Sequence, residues 1–325
     1  MKIFVYSLRD YDEKGYFEHF TKVHNIECGY TSETPVLENL ELARGYDAID
    51  IITSPITPEM VDKLADMGVK CIVTRSIGYD HINVARATER GIGVLNVTYG
   101  PDSVADYTIM LMLMGLRKIK YLDLRSNVQD FSLKGKIAST LPKATVGIIG
   151  TGKIGERVIQ ELQGFGCKIL AYDTYEKESV KTMATYVTFE ELVQQCDIIS
   201  LHAPALESTF HMLDKKAFDM MKDGVGIVNC ARGPLIDTEA LIDAIENKKV
   251  GFACLDTIEG EFDLYYFDRM GEPLKNRNRA ILNSYPNVIV MPHMAFYTDE
   301  VVSNMVENSM LNVREFFETG KCINL

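Results

Sequence analysis

The chain has no apolar run long enough to cross a membrane. The densest, "YTIMLMLMGL" at residues 107–116, is about half of the ~18 residues a spanning helix needs. Clustered Lys and Arg are missing too. The 34 basic residues stand against 46 acidic ones, a formal net charge of −12, which argues against nucleic acid or an anionic membrane as a partner. The seven cysteines form no C-x-x-C pair, and most sit in apolar runs such as "KCIV" and "NCARG", as buried thiols do. Neither a disulfide framework nor a metal centre is expected, and a reducing cytoplasm fits. The opening "MKIFVYSLRD" lacks a cleavage-like site and reads as a first strand rather than a signal peptide. There is no low-complexity linker and no short repeat, and histidine is scarce, with six in 325 residues.

What is present is an alternation of short β-rich runs with amphipathic helical segments, the signature of parallel α/β layers in a soluble globular protein. The length favours two domains. A first series of strands is expected at "KIFVYS", "IECGY", "DAIDIIT", "KCIVTR" and "GVLNV". A second is expected at "ATVGIIG", "CKILAYD", "CDIISLHAP", "VGIVNCARG", "GFACLDTIE" and "NVIVMP". Near-continuous Val/Ile/Leu runs of this kind suit parallel strands covered on both faces. A long helical pattern, apolar nearly all round, starts at Pro101 and carries "SVADYTIMLMLMGLRKIK"; burial between lobes or at a subunit interface would explain it. A final helix, "TDEVVSNMVENSMLNVREFFETG", is placed to return to the first lobe. The expected domains are therefore residues 1–100 plus 299–325, and residues 101–298.

Between a buried strand and a helix, "VGIIGTGKIGERV" sets Gly150, Gly152 and Gly155 in G-x-G-x-x-G spacing. A tight turn, a close backbone approach to a pyrophosphate and close helix–strand packing each require glycine there, and the helix N-terminus faces the anion. The next strand ends in Asp173, about 20 residues on, where a carboxylate accepts from ribose hydroxyls and repels a 2′-phosphate. NAD is expected rather than NADP.

Ligands of open parallel sheets bind beyond the carboxyl ends of the strands. Those ends carry Ala203 and Pro204, suited to an adenine or nicotinamide; Arg232; Asp256, with Glu261 five residues later; and His293, in "VIVMPHMAFYTDE". The set suits hydride transfer between a nicotinamide and a carbon bearing oxygen. A guanidinium grips a substrate carboxylate in a bidentate fork. A histidine gives or takes the hydroxyl proton, and a carboxylate behind the imidazole fixes its tautomer and favours the imidazolium.

With these motifs in their order, "TRSIGYDHIN", "NVTYGPDSVADYT", "VGIIGTGKIGERV", "NCARGPLIDTEAL", "LDTIEGE" and "PHMAFYTDE", the chain resembles the D-isomer-specific 2-hydroxyacid dehydrogenases over essentially its whole length, and within them the D-lactate dehydrogenase group. The resemblance implies two doubly wound parallel-sheet domains, Rossmann-like or flavodoxin-like, with substrate in the cleft between them. It implies Arg232 as the residue that orients the keto acid, His293 as acid/base, Glu261 as its partner and Asp256 as a support near the nicotinamide. Ile77 and Gly78 would offer backbone N–H groups to the substrate carboxylate, and Tyr99 a hydroxyl. Lys153, Ile154, Asp173, Ala203, Pro204 and Cys230, Ala231 and Arg232 match the family's cofactor contacts. Thr209 stands where an Asn often contacts the cofactor, which puts that contact in doubt, and Met291 precedes Pro292 where Thr is more usual.

"AFYTDE" and the long insert "FDLYYFDRMGEPLKNRNRAILNSYP" point to the lactate-type branch, and so to NADH-dependent reduction of pyruvate to D-lactate; a homodimer is expected if the apolar "YTIMLMLMGL" helix serves as a subunit interface rather than as a buried interlobe helix. Bulkier 2-keto acids such as phenylpyruvate or 2-ketoisocaproate are the alternative, decided by pocket walls near Ser54 and Phe296. An NADH-sensing, corepressor-like binding protein on the same fold is the alternative from another class.

Overall fold

The Val- and Ile-rich runs become twelve strands in two sheets, and every strand pairing is parallel among the described residues, 1–262 and 264–324 of a computed structural model. The chain divides into two compact units, Met1–Gly100 with Tyr297–Leu325, and Pro101–Phe296.

The first unit holds β1 (Lys2–Val5), β2 (Glu27–Tyr30), β3 (Ala48–Ile51), β4 (Cys71–Thr74) and β5 (Gly93–Asn96), in the order β2-β1-β3-β4-β5. This is the flavodoxin-like order of a doubly wound sheet. Helices α1 (Lys14–His24), α2 (Pro58–Asp66) and α3 (Val84–Glu89) connect these strands. The C-terminal helix Asp299–Thr319 is capped by the Thr298 hydroxyl and ends at Gly320 in the left-handed region. Its Val306, Met310 and Val313 join Ile3, Val5, Cys71 and Val73 in one apolar cluster. Arg75, at the end of β4, is fully buried and bridges Glu13 at 3.0 Å and Asp50 at 2.9 Å; Ser309 of the C-terminal helix donates to Asp50 at 2.7 Å. Two buried carboxylates share this guanidinium, and burial pushes Asp50 up to about 6.

The second unit carries β6 (Thr145–Ile149), β7 (Lys168–Tyr172), β8 (Thr185–Tyr186), β9 (Ile198–Leu201), β10 (Val225–Asn229), β11 (Val250–Leu255) and β12 (Val288–Val290), in the order β12-β11-β10-β9-β6-β7-β8. This is the Rossmann order, and its direction reverses between β6 and β9. The edge strand β8 was not expected from sequence: two residues are too few to show a period of two. The long apolar pattern after Pro101 is two helices, α4 (Asp102–Leu116) and α5 (Ile119–Asn127), broken where Lys118 turns left-handed at φ 56°. Val104, Ala105, Ile109, Leu111 and Met112 of α4 are buried, and α4 packs on β10, β11 and α6 (Lys153–Leu162) of its own unit, while Met110 stays exposed.

Candidate active site

The turn after β6 lies at the switch point of the sheet. Gly150 has φ 91°, and a Cβ there would sit 2.6 Å from the His202 carbonyl carbon; a Cβ on Gly155 would sit 1.9 Å from the Gly150 oxygen. Neither position tolerates a side chain, whereas a Cβ on Gly152, the N-cap of α6, meets nothing within 4 Å. Open space over Gly152 at a helix N-terminus is what a pyrophosphate needs. Lys153 and Ile154 are the first two residues of that helix. Asp173, after β7, reaches back across the turn, accepting from Thr151 N at 2.6 Å and Thr151 Oγ1 at 3.1 Å through one oxygen and from Tyr175 N at 3.1 Å through the other. Burial works against its ionisation, but these donors outweigh it and hold the carboxyl below its usual range. The oxygen facing Thr151 is already filled by two donors, so a ribose hydroxyl would meet the other, whose second bond, from Thr174 Oγ1 at 3.4 Å, is long.

Across the switch point, β9 delivers His202, Ala203 and Pro204 beside Gly150. His202 Nε2 lies 2.9 Å from Ser200 Oγ, and burial lowers its pKa to about 4, so the ring is neutral. The Thr209 hydroxyl is turned into its own loop, accepting from Leu206 N at 2.9 Å and donating to Pro204 O at 2.7 Å. A cofactor contact from Thr209 would come at the expense of these bonds.

Strands β10, β11 and β12 bring Arg232, Asp256 and His293 to one edge. Asn229, buried at the end of β10, organises the first two: its Oδ1 accepts from Ala231 N at 3.0 Å, its Nδ2 donates to Arg232 O at 2.8 Å, and its backbone oxygen accepts from Asp256 N at 2.9 Å. Arg232 donates one guanidinium N–H to Ala231 O at 2.8 Å. Cys230 is buried, and burial pushes its thiol up.

Asp256 is a brace. Its backbone oxygen accepts from His293 N at 2.9 Å, and its two carboxylate oxygens accept from Met294 N at 2.8 Å and Ala295 N at 2.9 Å. Burial raises the Asp256 pKa against these donors and against the nearby His293. The loop so held puts His293 at φ 56°, a strained backbone that persists only where the surroundings impose it. His293 Nδ1 then lies 2.7 Å from Glu261 Oε1, while Glu261 Oε2 accepts from Ile258 N at 2.9 Å. An ionised carboxylate only accepts, so the proton of a neutral ring sits on Nδ1 and the lone pair on Nε2. Tyr266, itself at φ 70°, donates to His293 O at 3.2 Å, and the Tyr266 and Phe296 rings lie 6.1 and 6.2 Å from the imidazole.

Ile77, Gly78 and Tyr99 lie in the first unit, on the loops after β4 and β5. Ser76 Oγ donates to Gly78 O at 2.7 Å, and Asn96 Nδ2 donates to Ile77 O at 2.6 Å. In a trans peptide the N–H opposes the carbonyl, so the Gly78 N–H points away from Asn96.

Sequence reasoning passed over His202, Asn229 and Tyr266. A histidine at the end of "IISLH" and an asparagine ending the buried "VGIVN" carry the same signal as His293, a polar residue closing an apolar strand. Tyr266 sits in the insert and had no such marker.

Residues 109–295 match the family model for the D-isomer specific 2-hydroxyacid dehydrogenase NAD binding domain. An aromatic 2-oxoacid reductase of Clostridium sporogenes is 40% identical, with 100% of this chain and 98% of the relative covered. A D-lactate dehydrogenase of Lactiplantibacillus plantarum is 39% identical, with 99% and 98% covered. The NAD-complexed structure of a D-isomer specific 2-hydroxyacid dehydrogenase from Lactobacillus delbrueckii ssp. bulgaricus superimposes with a TM-score of 0.86 at 31% identity, with 100% of both chains covered. The chain belongs to the D-isomer-specific 2-hydroxyacid dehydrogenases, NAD-dependent oxidoreductases acting on the CH–OH group.

Proposed function

We propose that this chain reduces a small 2-keto acid to the D-2-hydroxy acid, pyruvate to D-lactate being the first reading. The observation that carries it is the His293–Glu261 pair at 2.7 Å, with Nε2 left to protonate the forming alkoxide. NADH, when bound, supplies the hydride. Gly150, Gly152, Lys153, Ile154, Gly155 and Asp173 are assigned to its pyrophosphate and ribose, and Ala203, Pro204, Cys230, Ala231 and Asp256 to the rest of the cofactor. Arg232 grips the substrate carboxylate in a fork and polarises the adjacent carbonyl. Ile77 and Gly78 N–H groups and the Tyr99 hydroxyl are assigned to the same substrate. Glu261 stabilises the imidazolium that must donate during reduction, and Asp256 keeps His293 in its left-handed conformation.

Reduction of aromatic 2-keto acids is the second reading, favoured by the Clostridium sporogenes relative and by the Tyr266 and Phe296 rings beside His293. The chain acts as a homodimer in the cytoplasm. Val128, Phe131, Leu133 and Ile137, all strongly exposed apolar residues in one segment, suit a subunit interface, and the buried thiols of Cys71, Cys196, Cys230 and Cys254 suit a reducing compartment. The test is the rate of NADH oxidation with pyruvate, 2-ketobutyrate, 2-ketoisocaproate, phenylpyruvate, hydroxypyruvate and oxaloacetate. Highest kcat/KM with pyruvate supports the first reading and with phenylpyruvate the second; NADH binding without turnover of any would leave a sensor of the corepressor kind.

A further inference from the structure

A second histidine–glutamate pair stands two residues from the first. Glu259 and Glu261 flank Gly260, which turns left-handed at φ 69°. Glu261 faces His293, whereas Glu259 Oε1 lies 2.7 Å from His211 Nε2. The other Glu259 oxygen accepts from Thr238 Oγ1 at 2.5 Å and Thr238 N at 3.2 Å, and its backbone oxygen accepts from Asn276 Nδ2 at 2.9 Å. His211 is left-handed at φ 50°, and its own N–H donates to Pro234 O at 2.8 Å. Its Nδ1 lies 3.9 Å from Asp237. One carboxylate thus ties together the loop leaving β9, the N-terminus of the helix Thr238–Glu246, and the turn Ile258–Glu261.

We propose that His211 and Glu259 are positioning residues for the acid/base pair, an inference that rests on His293 being the proton donor. The aim of Glu261 is set locally by Ile258 N, so it follows the orientation of the 258–261 turn. That turn is loop backbone whose Gly260 gives no side-chain anchor; Asn276 Nδ2 holds its Glu259 and Gly260 oxygens, and the Glu259 side chain ties it to His211 and Thr238. Releasing the Glu259 side chain leaves Asn276 as the remaining hold on the 259–260 peptides, and the 2.7 Å contact of Glu261 with His293 depends on the set of those peptides. The two Glu259 oxygens face Thr238 N, Thr238 Oγ1 and His211 Nε2, and an amide could keep all three only if its NH2 met an unprotonated His211 Nε2. His211 combines tolerance of positive φ with a ring N–H long enough to reach across.

The experiment compares Glu259→Gln and His211→Asn with Glu261→Gln and His293→Ala. Asn accepts the left-handed backbone but is too short to reach Glu259. Readouts are kcat and KM for pyruvate reduction across pH, NADH Kd by fluorescence, and Tm. With Glu261 misaligned the neutral imidazole is favoured. The alkaline limb of the reductive kcat profile should move down by about one pH unit, with kcat about tenfold lower on that limb. KM and NADH Kd should stay within about twofold, and Glu259→Asp should recover part of the limb. Combining Glu259→Gln with Glu261→Gln should add little, because the first acts through the second. A lower Tm with an unmoved limb would reduce the pair to a stability role and overturn the proposal, as would wild-type kinetics. If Glu259→Gln does not fold, Thr238→Ala, which removes one side-chain donor, is read by the same limb. Full turnover in His293→Ala would instead overturn the acid/base reading itself.

Discussion

Asp256→Asn probes how His293 is held. Asp256 is fully buried, and its two oxygens take the N–H groups of Met294 and Ala295 at 2.8 and 2.9 Å. Hydrogen bonds to a charged acceptor contribute roughly 1.5–3 kcal/mol each, and a buried donor left unpaired costs about 1–3 kcal/mol. Asparagine keeps one accepting oxygen and turns its NH2 toward the second backbone N–H, so one bond weakens and one becomes a donor–donor clash. Loss of a buried charge offsets part of this, since burial already disfavours ionised Asp256. A net loss of about 2 kcal/mol follows. Against it stands the cost of the left-handed His293, about 1–2 kcal/mol, which the brace must exceed. Without that margin His293 relaxes toward negative φ and leaves Glu261. A shift of about 2 kcal/mol is roughly a 30-fold change in the aligned population. We therefore expect kcat for pyruvate reduction to fall about 10- to 30-fold and Tm to fall by about 4–8 °C. NADH absorbance and a thermal melt read both. A kcat within twofold of wild type would refute the bracing role, whatever the melt shows.

Arg232→Lys replaces a fork by a point charge and should raise KM for pyruvate by about tenfold or more, which a Michaelis curve settles; an unchanged KM removes Arg232 from the carboxylate. Asp173→Ala should weaken NADH binding and narrow the preference over NADPH, measured as the ratio of the two kcat/KM values. Unaltered preference would count against the ribose contact. Asp50 tests pH linkage: burial lifts its folded pKa to about 6, above the 3.8 of a free aspartate, so the folded state binds the proton more readily. This contribution grows as pH falls from about 7 to 4 and is lost as pH rises through about 6. Wild type should therefore gain stability relative to Asp50→Asn across that window in chemical denaturation. A gap that stays constant with pH would contradict it.

The strands and the glycine turn were legible because their signals are local. An unbroken Val/Ile run states a two-sided strand, and G-x-G-x-x-G between strand and helix states a phosphate turn. Arg232, Asp256, Glu261 and His293 were legible as polar residues closing apolar strands. What each does for the others was not. Nothing in the letters says that Asp256 spends both oxygens on the backbone of 294 and 295, or that His293 must be left-handed to meet Glu261. Those facts depend on where two strand ends 37 residues apart are brought by the sheet. The break at Lys118 escaped for a related reason: the glycine just before it, Gly115, lies inside the helix against the Phe252 ring, where it marks close packing, and only the backbone reveals the turn three residues on.

The acid/base assignment is tested most directly by His293→Ala, assayed for NADH oxidation with saturating pyruvate alongside NADH binding. We expect kcat to fall by about 10²- to 10⁴-fold while NADH affinity changes little. Undiminished kcat in a folded variant that still binds NADH would contradict the account.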